Sequence, residues 1–444
     1  MGLKYIEQVK TAVLILLIVL SVTLTFSIWT YKPNYKTIEK TPNVDTAIVD
    51  KRKISDVVQP YKLLVNRDDE MTGTTDPDML TEAVDLVKTW SLRNVTLSDP
   101  ELTAGELNEL TEEPGRIVIF YPSPIPFEVI DNLFKFSDTI SNESTFERII
   151  IEKSDADGQM LVHFVGREGG RRYTASASRV DKQAMKEFVG KAEKNFPTYA
   201  AVRRDGAGSL YLPAEPVSVD ALIYNMEEVS PSKFKDALFP DKSDVKREQT
   251  GLTREEYSDN SSIMTVETRM KTISFVHPHP TAESKEVSIP SELLLNSLDF
   301  VNEHGGWTNN FLFASMEPEK KQITYRLQVG GLPVFSEEKE TSTEIRQTWG
   351  DGRIFRYQRP YYTLDVPFPE KNRRELDSGV EEAEWLRAEK GEDFSKIGEI
   401  MQAYTMRQDE QQNLYLLEPA WYYEENGKWH QVGADSGGAV NGLE

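Results

Sequence analysis

Chemistry in a chain without cysteine must come from histidines, carboxylates, hydroxyls or glycine-rich loops, and zero Cys removes thiol catalysis, disulfides and Cys-based metal sites at once. The histidines are His163, His277, His279, His304 and His430. His277-Pro278-His279-Pro280 has the look of a ligand pair, since two imidazoles and a third donor make a zinc site. Prolines on both sides hold that segment extended, so the two rings diverge, and no third donor lies nearby in sequence. A strand end capped by prolines is the simpler expectation.

Two glycine-bearing stretches invite a similar test. In KSDADGQM (residues 153–160), aligning Gly158 with the invariant glycine of a calcium loop puts Lys153 where an oxygen ligand belongs. That stretch reads as a hairpin turn. REGGRRYT (residues 167–174) gathers Arg167, Arg171 and Arg172 beside Gly169-Gly170, a possible phosphate nest. No GK[ST] ending follows, and no G-x-G-x-x-G occurs, so a solvated β-turn is the expectation. There is no G-x-S-x-G, no H-E-x-x-H and no S-x-x-K set, and no carboxylate pair stands out. Aromatic stretches FRYQRPYYTL and LEPAWYY fit a carbohydrate groove, but strands with one core face fit them as well. The sequence predicts no enzyme, no metal and no cofactor.

Partners are bounded by charge. A formal net charge of −22, from 73 acidic and 51 basic residues, repels nucleic acid phosphates, so no nucleic-acid role is expected. The informative stretch is TAVLILLIVLSVTLTFSIWT, Thr11 to Thr30, which holds no charge. At about 1.5 Å per residue a helix of this length covers the roughly 30 Å of bilayer hydrocarbon. It exceeds a signal-peptide core and ends in Trp29, Thr30 and Tyr31 without a small-x-small cleavage site. An uncleaved single-pass membrane anchor is predicted. Lys4 and Lys10 precede it while Lys32, Lys36 and Lys40 follow, so charge alone leaves its orientation open. Ser21 with Thr25, and Thr23 with Ser27, stand four apart, a spacing that suits close helix–helix contact or bonding back to the helix's own carbonyls.

The rest of the chain must position whatever the exterior does. Residues 32–60 read as a polar tether. Asp76-Pro77 supplies an N-cap and an N1 proline, after which Leu80, Val84, Val87 and Ser91 share one face. Helices are also expected over 103–110, 127–136, 178–195, 231–238, 291–304 and 377–390, and RIVIFY (residues 116–121) as a buried strand. Asp157-Gly158, Asp205-Gly206, Asp351-Gly352 and Asn426-Gly427 each separate two strand-like runs and supply the positive φ that two-residue hairpins need. Asp241 to Ser262 reads as a long polar loop, and residues 433–444 as a frayed tail. Segregated helices among meandering strands predict an α+β fold. A weak repeat, SLYLPAEPV at Ser209 and NLYLLEPAW at Asn413, suggests two related C-terminal modules. The expected organisation is 1–31 N-terminal tip and anchor, 32–60 tether, and α+β domains at 61–211, 212–316 and 317–444.

The N-terminal MGLKYIEQVKTAVLILLIVLSVTLTFSIWTYKPNY, then PYKLLV, GRIVIFYPSPIPF and WGDGRIFRYQRPYYTLDVPFPE, resemble the YycH (WalH) family of Bacillus over essentially the whole chain. The resemblance implies a regulator of the essential YycG/WalK sensor histidine kinase that acts with YycI. It also implies a cytoplasmic N-terminus, an exterior of three domains, and restraint of the kinase through transmembrane helices that governs cell-wall genes. On that reading the helix contacts fall among Leu14, Leu17, Ser21, Thr23, Thr25, Ser27 and Trp29. The alternatives are an envelope-ligand binding module, whose exterior holds a wall polymer or lipid-linked precursor, and a membrane-anchored hydrolase, for which no residue asks.

Overall fold

The computed structural model describes residues 14, 16–18, 20–24, 51–67, 70–98, 100–130, 134–137, 144–153, 159–241, 243–278, 287–337, 342–350, 352–368, 372–409 and 414–433. The chain divides into Met1–Asn43 and Val44–Glu444. In the first unit, residues 14, 16–18 and 20–24 are helical, with Leu14, Leu16, Leu17, Ile18, Leu20, Val22 and Leu24 exposed. Among the described residues no helix is long and apolar enough to cross a membrane.

The second unit opens with α1 (Ile54–Val57), β1 (Lys62–Arg67), β2 (Glu70–Thr74), α2 (Pro77–Lys88), β3 (Ser91–Leu97) and α3 (Ala104–Glu112). Then come β4 (Ile117–Pro126), α4 (Phe127–Ile130), β5 (Lys135–Phe136), β6 (Thr145–Lys153), β7 (Met160–Gly166), β8 (Gly169–Ser178) and α5 (Lys182–Asn195). The strands form one eight-stranded sheet in the order β2-β1-β4-β6-β7-β8-β3-β5. Its central strands are apolar without alternation because both faces are covered. Leu63, Val65, Ile117, Ile119, Ile149 and Ile151 point into the main core, while Leu64, Val118, Phe120 and Ile150 meet Tyr199 and Tyr211 on the other face. Local signals agree with the elements. Asp76 Oδ1 accepts from the Asp78 and Met79 amides at 3.0 Å each, a cap worth about 1 kcal/mol. Thr103 and Glu106 close a capping box on α3.

The chain continues through β9 (Tyr199–Arg204), β10 (Ala207–Pro213), β11 (Val217–Glu228), α6 (Pro231–Leu238), β12 (Lys246–Gln249), β13 (Arg254–Ser258), β14 (Ile263–Glu267) and β15 (Thr272–Val276). Next are α7 (Pro290–Glu303), β16 (Phe311–Glu317), β17 (Gln322–Val329), β18 (Leu332–Ser336), β19 (Glu344–Trp349), β20 (Ile354–Pro360), β21 (Tyr362–Pro367) and β22 (Asn372–Leu376). The last elements are α8 (Gly379–Lys390), β23 (Ile397–Asp409), β24 (Leu414–Glu425) and β25 (Lys428–Gln431). One half of the resulting sheet runs β12-β13-β14-β15-β20-β19-β17, with β16 on β17; the other runs β18-β23-β24-β11-β21, with β22 on β11 and β25 on β24. The β17–β18 turn at Gly330-Gly331 joins the halves. Residue 316 lies inside the β16–β17 hairpin, where Met316 pairs with Ile323.

The α+β, sheet-rich fold matches the expectation, and several local readings need correction. The Asp241–Ser262 stretch is not a loop: it carries β12 and β13, paired from Lys246↔Ser258 to Gln249↔Glu255. These strands are charged because they form an exposed edge, where Arg247 bonds Glu255 at 2.9 Å and Arg254 bonds Glu256 at 2.9 Å. Ser178 ends β8 rather than opening a helix, and α5 starts at Lys182 under an Asp181 cap. The helix expected over 127–136 is one turn, Phe127–Ile130, before β5. Asn426 and Gly427 take φ of 53° and 75°, as their hairpin requires.

Candidate functional site

The predicted helix contacts are divided by what the structure describes. Leu14, Leu17, Ser21 and Thr23 are helical, with Leu14 and Leu17 exposed; Thr25, Ser27 and Trp29 lie outside the described residues. So does His279, while His277 Nδ1 lies 2.6 Å from Ser262 Oγ at the end of β15. Residues 154–158 of KSDADGQM are likewise outside, between the antiparallel β6 and β7. Among the described residues no group of three or more His, Asp or Glu side chains is placed to hold a metal.

What the fold does build is an attachment point for the segment that follows the apolar stretch. Arg52 donates its backbone N–H to Asn302 Oδ1 at 3.0 Å, and Asn302 Nδ2 donates to Arg52 O at 2.9 Å. The guanidinium reaches Asn310 Oδ1 at 3.2 Å, Phe311 O at 3.3 Å and Asn309 O at 3.3 Å, and lies 5.5 Å from the Trp307 ring centroid. Asn302, in the last turn of α7, also accepts from Trp307 Nε1 at 2.7 Å, so its side-chain oxygen holds two donors. The loop carrying these acceptors is itself fastened. Buried Arg359 of β20 donates to Gly306 O at 2.7 Å and Thr308 Oγ1 at 3.1 Å. Asn309 bonds Tyr362 O and the Leu364 amide of β21, each at 2.8 Å. Directly after Arg52, Val57 and Val58 enter the main core, so residues 51–60 are folded rather than free tether.

Beyond this clamp lies a buried charge junction. Strand register places Lys62, Phe120 and Arg148 in one row across β1, β4 and β6. Both cations stand over the Phe120 ring, Lys62 at 5.1 Å and Arg148 at 5.0 Å. Glu399 of β23 meets this row: its carboxylate lies 3.0 Å from Lys62 Nζ and accepts the Tyr61 hydroxyl. Burial pushes the Tyr61 phenol well up, and Glu399 adds to this, so Tyr61 remains a donor. Burial works to raise the Glu399 carboxyl, but Lys62, Tyr61 and Arg167 outweigh it and hold it below the usual carboxylate range.

Glu399 pairs directly across the ladder with Glu424 of β24. Like charges in that position repel. Here each has a cation from the N-terminal sheet: Lys62 for Glu399, and Arg167 for Glu424 at 3.3 Å. Arg167 also bonds Glu147 at 3.2 Å and Pro122 O at 2.6 Å. The REGGRRYT turn is solvated at Glu168 and Arg171, as expected, but its Arg167 is turned inward and spent on these pairs. Gly169 sits at φ 100°, where a Cβ would come within 2.5 Å of Leu102 O, and Gly170 exchanges backbone bonds with Leu102 at 2.7 and 2.8 Å. The turn's amide is spent on Leu102 rather than offered to an anion. The chemistry available here is positioning: two parts of the chain locked by complementary charges, with nothing arranged to attack a substrate.

Sequence reading missed Arg52, Lys62, Glu399 and Glu424, and singled out Arg167 without its partners. A signal existed for Lys62 and Glu399, each a single charge set in an apolar run (PYKLLV and IGEIMQAY). Long charged side chains are rarely buried unless paired, so such positions ask for a partner. The partners lie over 300 residues away in sequence for the Lys62–Glu399 pair, which is why the sequence alone could not name them.

Comparison with known proteins agrees with this architecture. A family model described as the YycH protein N-terminal domain matches residues 7–190, and one described as the YycH protein C-terminal domain matches residues 207–435. The "Two-component system WalR/WalK regulatory protein YycH" of Bacillus subtilis (strain 168) is 22% identical over 99% of both chains. The crystal structure of YycH from Bacillus subtilis superposes with a TM-score of 0.72 at 21% identity, covering 87% of this chain and 99% of that one, a likeness of fold. With the C-terminal model alone spanning more than half of its length, the chain belongs to the YycH family.

Proposed function

We propose that this chain is a non-enzymatic regulator of a WalR/WalK-type two-component system. It is anchored by residues 11–30, with its N-terminus cytoplasmic and its bulk outside, and it restrains the sensor kinase through helix contacts within the bilayer. YycI acts beside it, and the outcome is control of cell-wall metabolism genes. The observation that carries the reading is the match, over 99% of both chains, to a WalR/WalK regulatory protein. The charge-free Thr11–Thr30 stretch supports the anchor.

Within this reading the clamp has a mechanical role. A regulator shifts a kinase between states only by its differential affinity for them, about 1–3 kcal/mol. Arg52 fixes the start of the folded exterior to the α7–β16 loop, so a change in that loop reaches residues 51–58 directly. The test is a reporter of kinase output in cells lacking the protein, complemented by the full chain with residues 11–30 replaced by polyleucine of equal length. Loss of restraint with normal membrane insertion is expected. Full restraint would remove the helix from the mechanism.

A further inference from the structure

The described fold holds a cavity of about 260 Å³ where α1, the N-terminal sheet, β10 and the two halves of the large sheet meet. Its walls include Tyr61, Tyr199, Tyr211, Phe313, Trp421 and Trp429. It is a little smaller than the about 300–1,000 Å³ of typical small-ligand sites.

The polar ends of three of these aromatics are already spent elsewhere. Tyr61 donates to Glu399, Tyr211 to Glu112 at 3.2 Å, and Trp421 Nε1 to Asp377 O at 3.0 Å. Of the charged residues of the lining, Lys62 and Arg326 are ion-paired, and Asp56 is exposed. Lys62 pairs with Glu399, Arg326 with buried Glu344, and Asp56 accepts from the Lys53 amide at 2.9 Å. The two lining cations are already paired with carboxylates, Asp56 stands at the exposed rim, and a charged group held among the apolar walls would lose its hydration. The remaining polar lining is uncharged, made of the hydroxyls of Thr75 and Thr81 and the amides of Gln59, Asn310, Gln328 and Gln402.

The backbone gives the cavity a direction. β18 runs parallel to β23 only from Val334↔Tyr404 to Ser336↔Met406. Continuing that register would set Leu332 beside Gln402, but the chain turns away at Gly330-Gly331 to pair Leu332 with Val329 of β17. Ile400, Met401 and Gln402, which line the cavity, thus lie on β23 beyond the end of β18. Pro333 has no N–H to offer there. A place for a short strand is left beside β23 among aromatic residues. The Ile400 N–H is already taken by Glu399 Oε1 at 3.0 Å, so the main-chain bonds on offer are those of the Ile400 carbonyl and of Gln402.

We propose that this cavity binds an uncharged, extended peptide segment with apolar side chains, added as a short strand beside Ile400–Gln402. Strand addition supplies main-chain hydrogen bonds and the aromatic walls take alternate side chains. Asp56, Gln59 and Pro60, which closely follow the Arg52 clamp, and Asn310, which accepts from Arg52, also line the cavity. An occupant therefore touches the segment that leads back toward the anchor. The site does not depend on the kinase reading, and its binding test is separate from the reporter test.

The experiment uses the full chain in nanodiscs, with empty nanodiscs subtracted, and the probe Ac-Val-Leu-Val-NH2. Saturable binding is expected, weakened at least about tenfold by a central Glu or Lys or by N-methylation of the central amide, a loss of about 1.4 kcal/mol. Gln402→Trp, which fills the cavity, abolishes binding at an unchanged unfolding midpoint; Gln328→Trp serves if the first variant does not fold. Absence of saturable binding overturns the proposal, as does equal binding of the N-methyl peptide or binding retained in the filled variants. Binding of diacetylchitobiose with the peptide inert would make the site a saccharide site and overturn it too.

Discussion

Arg52 and Asn302 stand 250 residues apart in sequence and exchange two hydrogen bonds, at 3.0 and 2.9 Å, as a strand pair would. The contact fastens the first described residues of the second unit to the α7–β16 loop, held in turn by Arg359 and Asn309.

Removing each partner has a different consequence. Arg52→Ala loses the guanidinium contacts but keeps both backbone bonds, so the global unfolding free energy falls by no more than about 1–2 kcal/mol. Amide exchange over residues 51–58 rises clearly. Asn302→Ala also strands the buried Trp307 N–H and costs about 2–3 kcal/mol globally. Urea unfolding and hydrogen exchange on the two variants separate the effects.

The Lys62–Glu399 pair is buried, with side-chain exposures of 5% and 8%. Removing one charge leaves the other uncompensated, so Lys62→Met or Glu399→Gln costs about 3–5 kcal/mol. The double variant costs much less than the sum of the two. A double-mutant cycle by urea unfolding checks this, and strict additivity would show that the charges do not couple.

His163 gives a pH dependence with a definite sign. Burial, then Arg172 and Arg116, lower its pKa from 6.5 to about 4. Nδ1 lies 2.9 Å from Thr174 Oγ1, while Nε2 lies 3.1 Å from Glu152 Oε1 but is not aligned as a hydrogen bond. The unfolded chain binds this proton first, so the folded state is favoured above pH 6.5 and loses stability as pH falls toward 4. Between pH 7.5 and 5 the loss from this group is about 2 kcal/mol. His163→Gln should flatten the curve by that amount, read as the difference between variant and parent.

Gly169 cannot take a side chain. Gly169→Ala puts a Cβ against Leu102 O at a positive φ of 100°, and breaks the Leu102–Gly170 bridge. A loss of about 2–3 kcal/mol is expected by thermal unfolding, against about 1 kcal/mol for Gly427→Ala in its open turn.

Legibility in the sequence followed the range of the interaction. The Asp76-Pro77 cap, the RIVIFY strand and the Asn426-Gly427 hairpin are set by neighbours, and each was readable from its residue types. β12 and β13 were not, because their exposed, charged residues carry no apolar alternation and are stabilised by cross-strand ion pairs. The Gly330-Gly331 turn carries a local signal of the same kind as Asn426-Gly427, since both glycines take positive φ, at 57° and 84°. The junction was out of reach: Arg167 looks like a surface arginine until Glu424, over 250 residues on, is placed beside it.

The most direct measurement is kinase-dependent reporter output in cells lacking this protein, complemented with residues 1–40 alone. Restored restraint is the predicted result, since it places the inhibitory contacts in the helix and leaves the exterior as modulator. Failure of restraint with the fragment inserted in the membrane at normal levels would move those contacts outside and contradict the account.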